Sequence, residues 1–197
     1  MAKDAPRLSR EDWILAGFRA LTAGGVAALR VEPVARALGT TKGSFYWHFA
    51  DPADWRTAML TYWEHVAYLH VIADLAALPT GAARLQALTS RAVTGGRDPA
   101  HGGLAAEPAL REWARFAPDV AETVARVDQG RIAFLADCLT DMQPHAPVAP
   151  HAPDAQLGAR AIYATYIGLQ SLQGSDAQDT ATLIAVITAL GRGPAPS

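Results

Sequence analysis

The sequence predicts an all-α protein of about nine helices, and three observations support this fold class. No segment shows the sustained alternation of apolar and polar residues that is typical of a half-buried strand. Half of the 197 residues are hydrophobic, and alanine, the strongest helix former, is used heavily. Glycines and prolines divide the chain into segments whose apolar residues recur at helical spacing. We therefore expect helices packed against helices.

The first helices are indicated by clear start and stop signals. Ser9 is a suitable N-cap with Asp12 as its capping-box partner, and the pair Gly24 and Gly25 ends the helix that follows. A second short helix is expected over residues 31–38, with a proline in its first turn, where proline is tolerated. These signals predict two closely spaced helices before residue 40.

The later helices are bounded mainly by prolines and glycines. Asp51 followed by Pro52 predicts the start of a helix that can run to about residue 78, because no breaker occurs before Pro79. Five more helices are expected, over residues 80–94, 108–116, 118–142, 154–173 and 178–190. Residues 144–153 contain four prolines and are expected to form a non-helical connection. We place the domain boundary near residue 54, with a front domain of residues 1–54 and a back domain of residues 55–197.

The charge distribution and composition indicate what kind of protein this chain can be. Residues 1–56 contain eight Lys or Arg and six Asp or Glu, and the rest contains nine and thirteen, so the front is mildly basic and the back acidic. The single cysteine, Cys138, excludes an internal disulfide and is expected to be a small buried side chain. The chain lacks an apolar signal core, and no apolar run reaches the roughly 18–20 residues of a membrane span. We therefore expect a cytoplasmic protein that does not bind membranes.

Two short helices that meet at a tight turn after Gly39 form a helix-turn-helix, in which the second helix enters the major groove of DNA. This third helix begins at Lys42, and Phe45 and Phe49, four residues apart, are expected to face the core. The three large residues between them must then face at least partly outward. They are Tyr46, Trp47 and His48. Outward aromatic residues with polar tips suit contacts with phosphates and with the thymine methyl group.

The residues around the turn have side chains that suit a DNA contact. Thr40, Thr41 and Ser44 carry short hydroxyl groups for phosphates or base edges, and Lys42 places a cation near the start of the helix. Gly43 has no side chain, so the backbone can approach DNA closely. The front of the chain is therefore predicted to bind double-stranded DNA.

The stretch of residues 34–49 resembles the DNA-binding domain of the tetracycline-repressor (TetR) family. That family typically has Ile/Val-Ala-x-x-Leu-Gly, followed by Lys-Gly-Ser/Thr-Leu-Tyr-x-His-Phe, and the spacing matches here over residues 9–60. The resemblance implies DNA contacts from Thr41 through Ser44 and from Tyr46 through His48. Residues 108–115 and 127–131 resemble ligand domains of some family members more loosely.

Two positions depart from the family pattern. Val31 stands where the family often has Thr or Ser, and Pro52 stands where it often has a phosphate-binding Lys. Neither side chain can bind a phosphate. We expect Arg30 and Arg56 to supply these contacts instead. The loss of one phosphate contact reduces the salt dependence of DNA binding by roughly one unit and does not abolish binding.

The resemblance implies that the back domain encloses an apolar pocket for a small-molecule effector. Aromatic residues on several helices are candidates to line it, although each can equally be part of the core. They are Trp63, Tyr68, Trp113, Phe116, Phe134, Tyr163 and Tyr166. The last two helices are expected to pair with those of a second copy in a four-helix bundle. Their apolar faces contain Leu157, Ala161, Ala164, Gly168, Leu172, Leu183, Val186, Ile187 and Leu190.

These features predict a homodimeric regulator that binds a palindromic operator and is released by an apolar or aromatic ligand. The alternatives are a DNA-binding regulator switched by a protein partner and, with less support, a small helical enzyme. No cofactor and no metal is expected, because the sequence contains no nucleophile elbow, phosphate loop or metal motif. His65 and His70 are five residues apart, so they do not lie on one face of a helix as two metal ligands would.

Overall fold

A computed structural model describes residues 8–94, 106–142, 154–172 and 176–191, and every regular element in these ranges is helical. The all-α prediction is therefore confirmed. The front contains α1 (Arg10–Gly24), a 3-10 turn (Val26–Ala28), α2 (Val31–Ala37), α3 (Lys42–Phe45) and α4 (Pro52–Glu64). A π turn (His65–Leu69) and α5 (His70–Ala76) follow, then α6 (Gly81–Thr94), α7 (Ala106–Ala114), α8 (Pro118–Met142), α9 (Ala155–Leu169) and α10 (Asp176–Gly191).

The predicted helix starts are confirmed at atomic detail. The backbone N–H of Asp12 donates to Ser9 Oγ at 3.2 Å, and the N–H of Ser9 donates to the Asp12 carboxylate at 2.7 Å. The hydrogen bonds of this capping box, above all the one that the Ser9 backbone N–H donates to the carboxylate, lower the pKa of Asp12. At the start of α4, Asp51 accepts hydrogen bonds from two backbone N–H groups of the first turn, at 2.7 and 2.8 Å. Both caps satisfy donors that a helix terminus otherwise leaves unpaired.

Some boundaries differ from the predictions. The third helix ends at Phe45, and residues 46–48 continue as hydrogen-bonded turns rather than as α-helix. The helix from Pro52, expected to run to about residue 78, ends at Ala76 and contains the π turn. If α4, the π turn and α5 are counted as one helical run from Pro52 to Ala76, the described ranges contain nine α-helical segments. The proline-rich connection of residues 144–153 lies outside the described residues.

The chain divides into two compact units. Unit 1 contains the described residues 8–65 and 106–124, and unit 2 contains residues 66–94 together with the described residues from 125 onward. The predicted domain boundary near residue 54 stays a prediction.

Unit 1 is built around an aromatic core. The Phe45 ring lies 5.3 Å from the Trp13 ring, 5.2 Å from the Phe49 ring and 5.6 Å from the Trp55 ring, measured between centroids. The Trp55 indole N–H donates to the backbone carbonyl of Trp13 at 3.0 Å, which fastens α4 to α1. Aromatic edge-to-face pairs add about 0.5–1.5 kcal/mol each beyond the burial of their area. The core therefore holds α1, α3 and α4 in one arrangement.

Unit 2 has its own apolar core, formed by α5, α6, α8, α9 and α10. Its buried members are Leu75, Leu85, Phe134, Leu135, Cys138, Leu139, Ala159, Ile162, Tyr163 and Leu183. Cys138 is fully buried, as predicted, and burial raises the pKa of its thiol to about 11. Leu183 lies in this core, so it is not part of an outward face of α10. No helix in the described ranges is both long enough and apolar enough to cross a membrane.

Candidate DNA-binding surface

The turn between α2 and α3 depends on a glycine. Gly39 has a φ of 68°, in the left-handed region that L side chains rarely adopt. The Gly39 N–H donates to the Arg36 carbonyl at 3.1 Å, and the Thr40 N–H donates to the Ala35 carbonyl at 2.9 Å. These bonds end α2 and redirect the chain, so that α3 packs across α2 as in a helix-turn-helix.

The recognition segment, residues 41–49, is anchored by two buried rings. Phe45 is 0% exposed and Phe49 is 2% exposed, whereas Tyr46 is 50% exposed and Trp47 is 81% exposed. His48 is half-buried. The prediction that the two phenylalanines face inward and the residues between them face outward is therefore confirmed. The core fixes the orientation of the outward side chains, because Phe45 packs against the rings of Trp13, Phe49 and Trp55.

The smaller residues of the recognition segment are accessible. Thr41, Lys42 and Gly43 are exposed, and Thr40 and Ser44 are half-buried. Thr41 occupies the N-cap position of α3, and its side chain makes no capping hydrogen bond there. Its hydroxyl is thus not engaged in closing the helix end, and it is oriented toward the same exposed surface as Gly43, whose β-position would lie 3.5 Å away.

Lys42 forms an ion pair that the sequence analysis missed. Its Nζ lies 3.1 Å from the Glu32 carboxylate on α2, and both side chains are more than half exposed. The hydrogen bond that Lys42 donates to Glu32 raises the pKa of Lys42, so the ammonium group stays protonated. Glu32 therefore competes with any phosphate for this cation. No local pattern indicates the pair, since ten positions separate the two residues and a turn lies between them.

The residues expected to replace the family's phosphate contacts are exposed. Val31 is only 8% exposed, so it cannot reach DNA. Arg30 precedes it at the N-cap of α2 and is exposed, and no side-chain hydrogen bond caps that helix. Arg56 is exposed on α4, one turn after the exposed Pro52. Because both arginines are exposed, they are accessible for the phosphate contacts that we expect them to make in place of residues 31 and 52.

The candidate ligand residues are divided between the two units. In unit 1, Trp63 and Trp113 are buried, while Phe116 is 79% exposed beside the Arg115 guanidinium. The other four lie in unit 2, where Phe134 and Tyr163 are buried and Tyr68 and Tyr166 are half-buried. The structure thus brings together a subset of the predicted residues, in unit 2, and leaves Phe116 on the surface.

A polar network in unit 2 contains Asp128 and Arg131, two residues of the stretch 127–131 that resembles ligand domains of some family members. The Tyr163 hydroxyl donates to Asp128 at 2.7 Å and accepts from Arg131 Nη1 at 3.2 Å. Arg131 Nη2 donates to the carbonyl oxygen of Ala67 at 2.9 Å. The Tyr166 ring lies 6.0 Å from the same guanidinium. The sequence signal for this network was the spacing of Asp128 and Arg131, because residues three positions apart lie on the same face of a helix.

In the described ranges, no cluster of three or more His, Cys, Asp or Glu is placed to hold a metal ion.

Comparisons with known proteins agree with this architecture. Residues 14–52 match the model of a family described as bacterial regulatory proteins, tetR family. No curated protein sequence matches the chain significantly. Among solved structures, the chain is similar to a TetR-family transcriptional regulator from Rhodococcus sp., with 23% identity and a TM-score of 0.71 over 92% of this chain and 98% of that one.

Two further solved structures have the same fold. A transcriptional regulator from Saccharomonospora viridis, in complex with choline, is 18% identical, with a TM-score of 0.75 over 91% of this chain and 95% of that one. AibR, in complex with isovaleryl coenzyme A and operator DNA, is 16% identical, with a TM-score of 0.68 over 91% of this chain and 97% of that one.

The matched segment coincides with the helix-turn-helix. It begins on α1 and ends at the first residue of α4, so it includes α2, the turn at Gly39 and the whole recognition segment. The matched family consists of regulatory proteins and not of enzymes. Residues 14–52 therefore match the tetR family of bacterial regulatory proteins, and the chain as a whole has the same fold as a solved TetR-family transcriptional regulator.

Proposed function

We propose that the protein is a homodimeric transcriptional repressor that binds a palindromic operator and is released by a small apolar or aromatic effector. The observation that carries the DNA-binding part is Trp47, which is 81% exposed although the adjacent helix is pinned to the core by Phe45. A large aromatic side chain held outward beside a lysine and several hydroxyl groups suits a partner with both phosphates and apolar base edges.

Each outward residue has a chemical role in the proposed contact. Lys42 and the hydroxyl of Thr41 neutralise or bind phosphates, and the exposed backbone at Gly43 allows α3 to approach the groove closely. Tyr46 presents a hydroxyl to phosphate, and Trp47 presents an apolar surface to deoxyribose or a thymine methyl group. Together with Thr40, Ser44, His48 and Arg30, these residues form the proposed DNA-binding set.

Dimerisation through α9 and α10 is supported by apolar side chains on their surfaces. Leu157 is 62% exposed and Ile184 is 48% exposed, and Leu172, just beyond α9, is 66% exposed. Ala161, Ala164 and Gly168 are also exposed, so they permit close approach of a second helix pair. Two recognition segments about 34 Å apart would contact successive major grooves on one side of the duplex.

An effector site in the back domain is supported by the aromatic residues that unit 2 brings together. Tyr68, Phe134, Tyr163 and Tyr166 lie in one compact unit with the Asp128–Arg131 network, which combines apolar surface with a few oriented polar groups. Two proteins of the same fold bind small molecules, choline in one case and isovaleryl coenzyme A in the other. The other three candidates, the buried Trp63 and Trp113 and the exposed Phe116, lie in unit 1.

The decisive experiment is selection of bound DNA from a random pool, followed by affinity measurements over a salt series. We expect a palindrome with two half-sites. Lys42→Ala should reduce the slope of log K against log salt by about 1.8, because each of two subunits loses one phosphate contact worth about 0.9. Trp47→Ala and His48→Ala should weaken binding to the selected site more than to random DNA, whereas Tyr46→Ala, which removes a phosphate contact, should weaken both about equally.

The matched control is Arg115→Gln, which removes a positive charge from an exposed side chain of unit 1 outside the recognition segment. Its salt slope should equal that of the wild type. Operator binding that persists unchanged in the Lys42, Tyr46, Trp47 and His48 variants would refute the assigned surface. Ligands found by calorimetry should lower operator affinity, because an effector acts only through its different affinities for two states.

A further inference from the structure

A carboxylate lies next to the start of the recognition segment. The Glu32 carboxylate is 3.1 Å from Lys42 Nζ, and the two side chains are 68% and 53% exposed. A surface that binds only phosphates gains nothing from an acidic side chain, because a carboxylate repels the phosphate backbone. An ion pair between exposed side chains also contributes little to stability. Neither phosphate binding nor folding thus accounts for a carboxylate at this place.

The fold brings the Glu32 carboxylate to the N-terminal end of α3. Glu32 follows Val31, which is buried at the start of α2, and the turn at Gly39 packs α3 across α2. Lys42 is the first residue of α3, so the carboxylate that contacts it lies at that end of the helix. In helix-turn-helix proteins, the N-terminal residues of the recognition helix contact base edges. The Glu32 carboxylate is therefore part of the surface that would meet base edges.

The chemistry of a carboxylate restricts the bases that Glu32 can contact. An ionised carboxylate only accepts hydrogen bonds, and the donors exposed in the major groove are the amino groups at cytosine N4 and adenine N6. The adenine amino group has an acceptor on each side, N7 of the same base and O4 of the paired thymine, and both repel a carboxylate. The cytosine amino group has one such neighbour, guanine O6. A carboxylate in this place therefore favours cytosine over the other bases.

Lys42 makes the carboxylate compatible with bound DNA. An ammonium group has three donors, and a carboxylate has about four lone-pair sites. The hydrogen bond from Lys42 to Glu32 uses one of each. Lys42 can thus donate to a phosphate while Glu32 accepts from a base. The same hydrogen bond raises the pKa of Lys42, so a positive charge stays beside the carboxylate and offsets its repulsion of phosphates.

We propose that Glu32 is a specificity-determining residue that accepts a hydrogen bond from cytosine N4 in each operator half-site. The proposal rests on the proposed function of the protein as an operator-binding regulator. At DNA sites that lack cytosine at this position, the carboxylate faces acceptors and phosphates without a donor, and binding is weakened. Glu32 thereby separates the operator from random DNA, whereas Lys42 contributes affinity to both.

The test compares the base preferences of wild-type protein, Glu32→Gln and Glu32→Ala, each determined by selection from a random pool. We expect wild-type protein to select cytosine at one position of each half-site, and to bind about fivefold more weakly per half-site when that base is replaced. Glu32→Gln should select adenine there, because a glutamine amide pairs with adenine N6 and N7. Glu32→Ala should have no preference at that position, and the other positions should be unchanged in both variants.

A control variant and a modified base make the test specific to the carboxylate and its donor. Glu112→Gln breaks another exposed ion pair of unit 1, with Arg115 at 3.2 Å, and should leave every base preference unchanged. N4-methylcytosine at the selected position tests the donor, because in the base pair its methyl group replaces the exposed amino hydrogen. This base should weaken wild-type binding about fivefold per half-site and Glu32→Ala binding by less than about twofold.

Identical base preferences in wild-type protein and Glu32→Gln would overturn the proposal, because Glu32 would then act only by repelling phosphates. So would an equal loss of affinity for the methylated DNA in wild-type protein and Glu32→Ala. A wild-type protein that selects no sequence from the pool would instead refute the proposed function, on which this proposal rests.

Discussion

Gly17 provides a test of the packing that supports the recognition segment. It lies on α1 and faces α4, where a β-carbon at position 17 would be 2.5 Å from Met59 Sδ and 2.8 Å from Trp55 Cζ2. Real β-carbons essentially never approach other atoms closer than 3.0 Å. Both Met59 and Trp55 are 0% exposed, so neither can move outward without disturbing its neighbours. Gly17→Ala should therefore separate α1 from α4.

The size of the effect follows from two opposing terms. Overpacking a core costs about 1–3 kcal/mol, and the rigid indole and full burial place this site near the upper end. Replacing glycine with alanine inside a helix recovers about 1 kcal/mol. The net loss of unfolding free energy is thus about 2 kcal/mol, which corresponds to a fall in Tm of roughly 4–8 °C for a chain of this size.

Thermal unfolding followed by circular dichroism in the absence of DNA measures the change, and Gly43→Ala is the matched control. Gly43 also lies in a helix of unit 1, but a β-carbon there would meet only Thr41 Oγ1, at 3.5 Å, which is an ordinary contact. This substitution should raise the unfolding free energy by up to about 1 kcal/mol. A Gly17→Ala protein that melts at or above the wild-type temperature would refute the inferred close contact between α1 and α4.

Three further predictions concern single side chains. Asp12→Asn should lower the unfolding free energy by about 0.3–1 kcal/mol at pH 7, because it removes a negative charge from the first turn of α1. Because folding lowers the pKa of Asp12, the difference from wild type should shrink as the pH falls from 3.8 through the pKa of the folded state, and urea titrations at pH 7 and pH 2.5 check this. Cys138, with a pKa of about 11, should resist alkylation by iodoacetamide at pH 8 until denaturant is added, and rapid labelling of native protein would contradict its burial. Glu32→Gln should raise affinity for random DNA about 2–5-fold by freeing Lys42, whereas Glu122→Gln, an exposed site on α8, should not.

Local signals in the sequence were sufficient to predict much of the fold. Helix starts at Ser9 and Asp51 were predictable because capping depends on side chains within three residues of the helix end. The inward orientation of Phe45 and Phe49 followed from their four-residue spacing, which places both on one face of a helical segment. The outward Tyr46 and Trp47 then followed by exclusion. These features involve short-range geometry only, and the candidate DNA-binding surface is composed mostly of them.

The tertiary structure alone decided the features that depend on partners distant in sequence. Periodicity places Leu183 on an apolar face of α10, but it does not indicate whether that face meets the protein's own core or a second chain. The Lys42–Glu32 ion pair depends on how a turn at Gly39 orients two helices. No breaker residue in the sequence indicates the π turn. The side chain that donates a hydrogen bond to its Ala67 carbonyl belongs to Arg131, which is 64 positions away. The sequence by itself determined which segments are helical and which residues face outward on the recognition segment. The pairing of distant side chains was decided by packing, since the energy of such contacts exists only once the chain has folded.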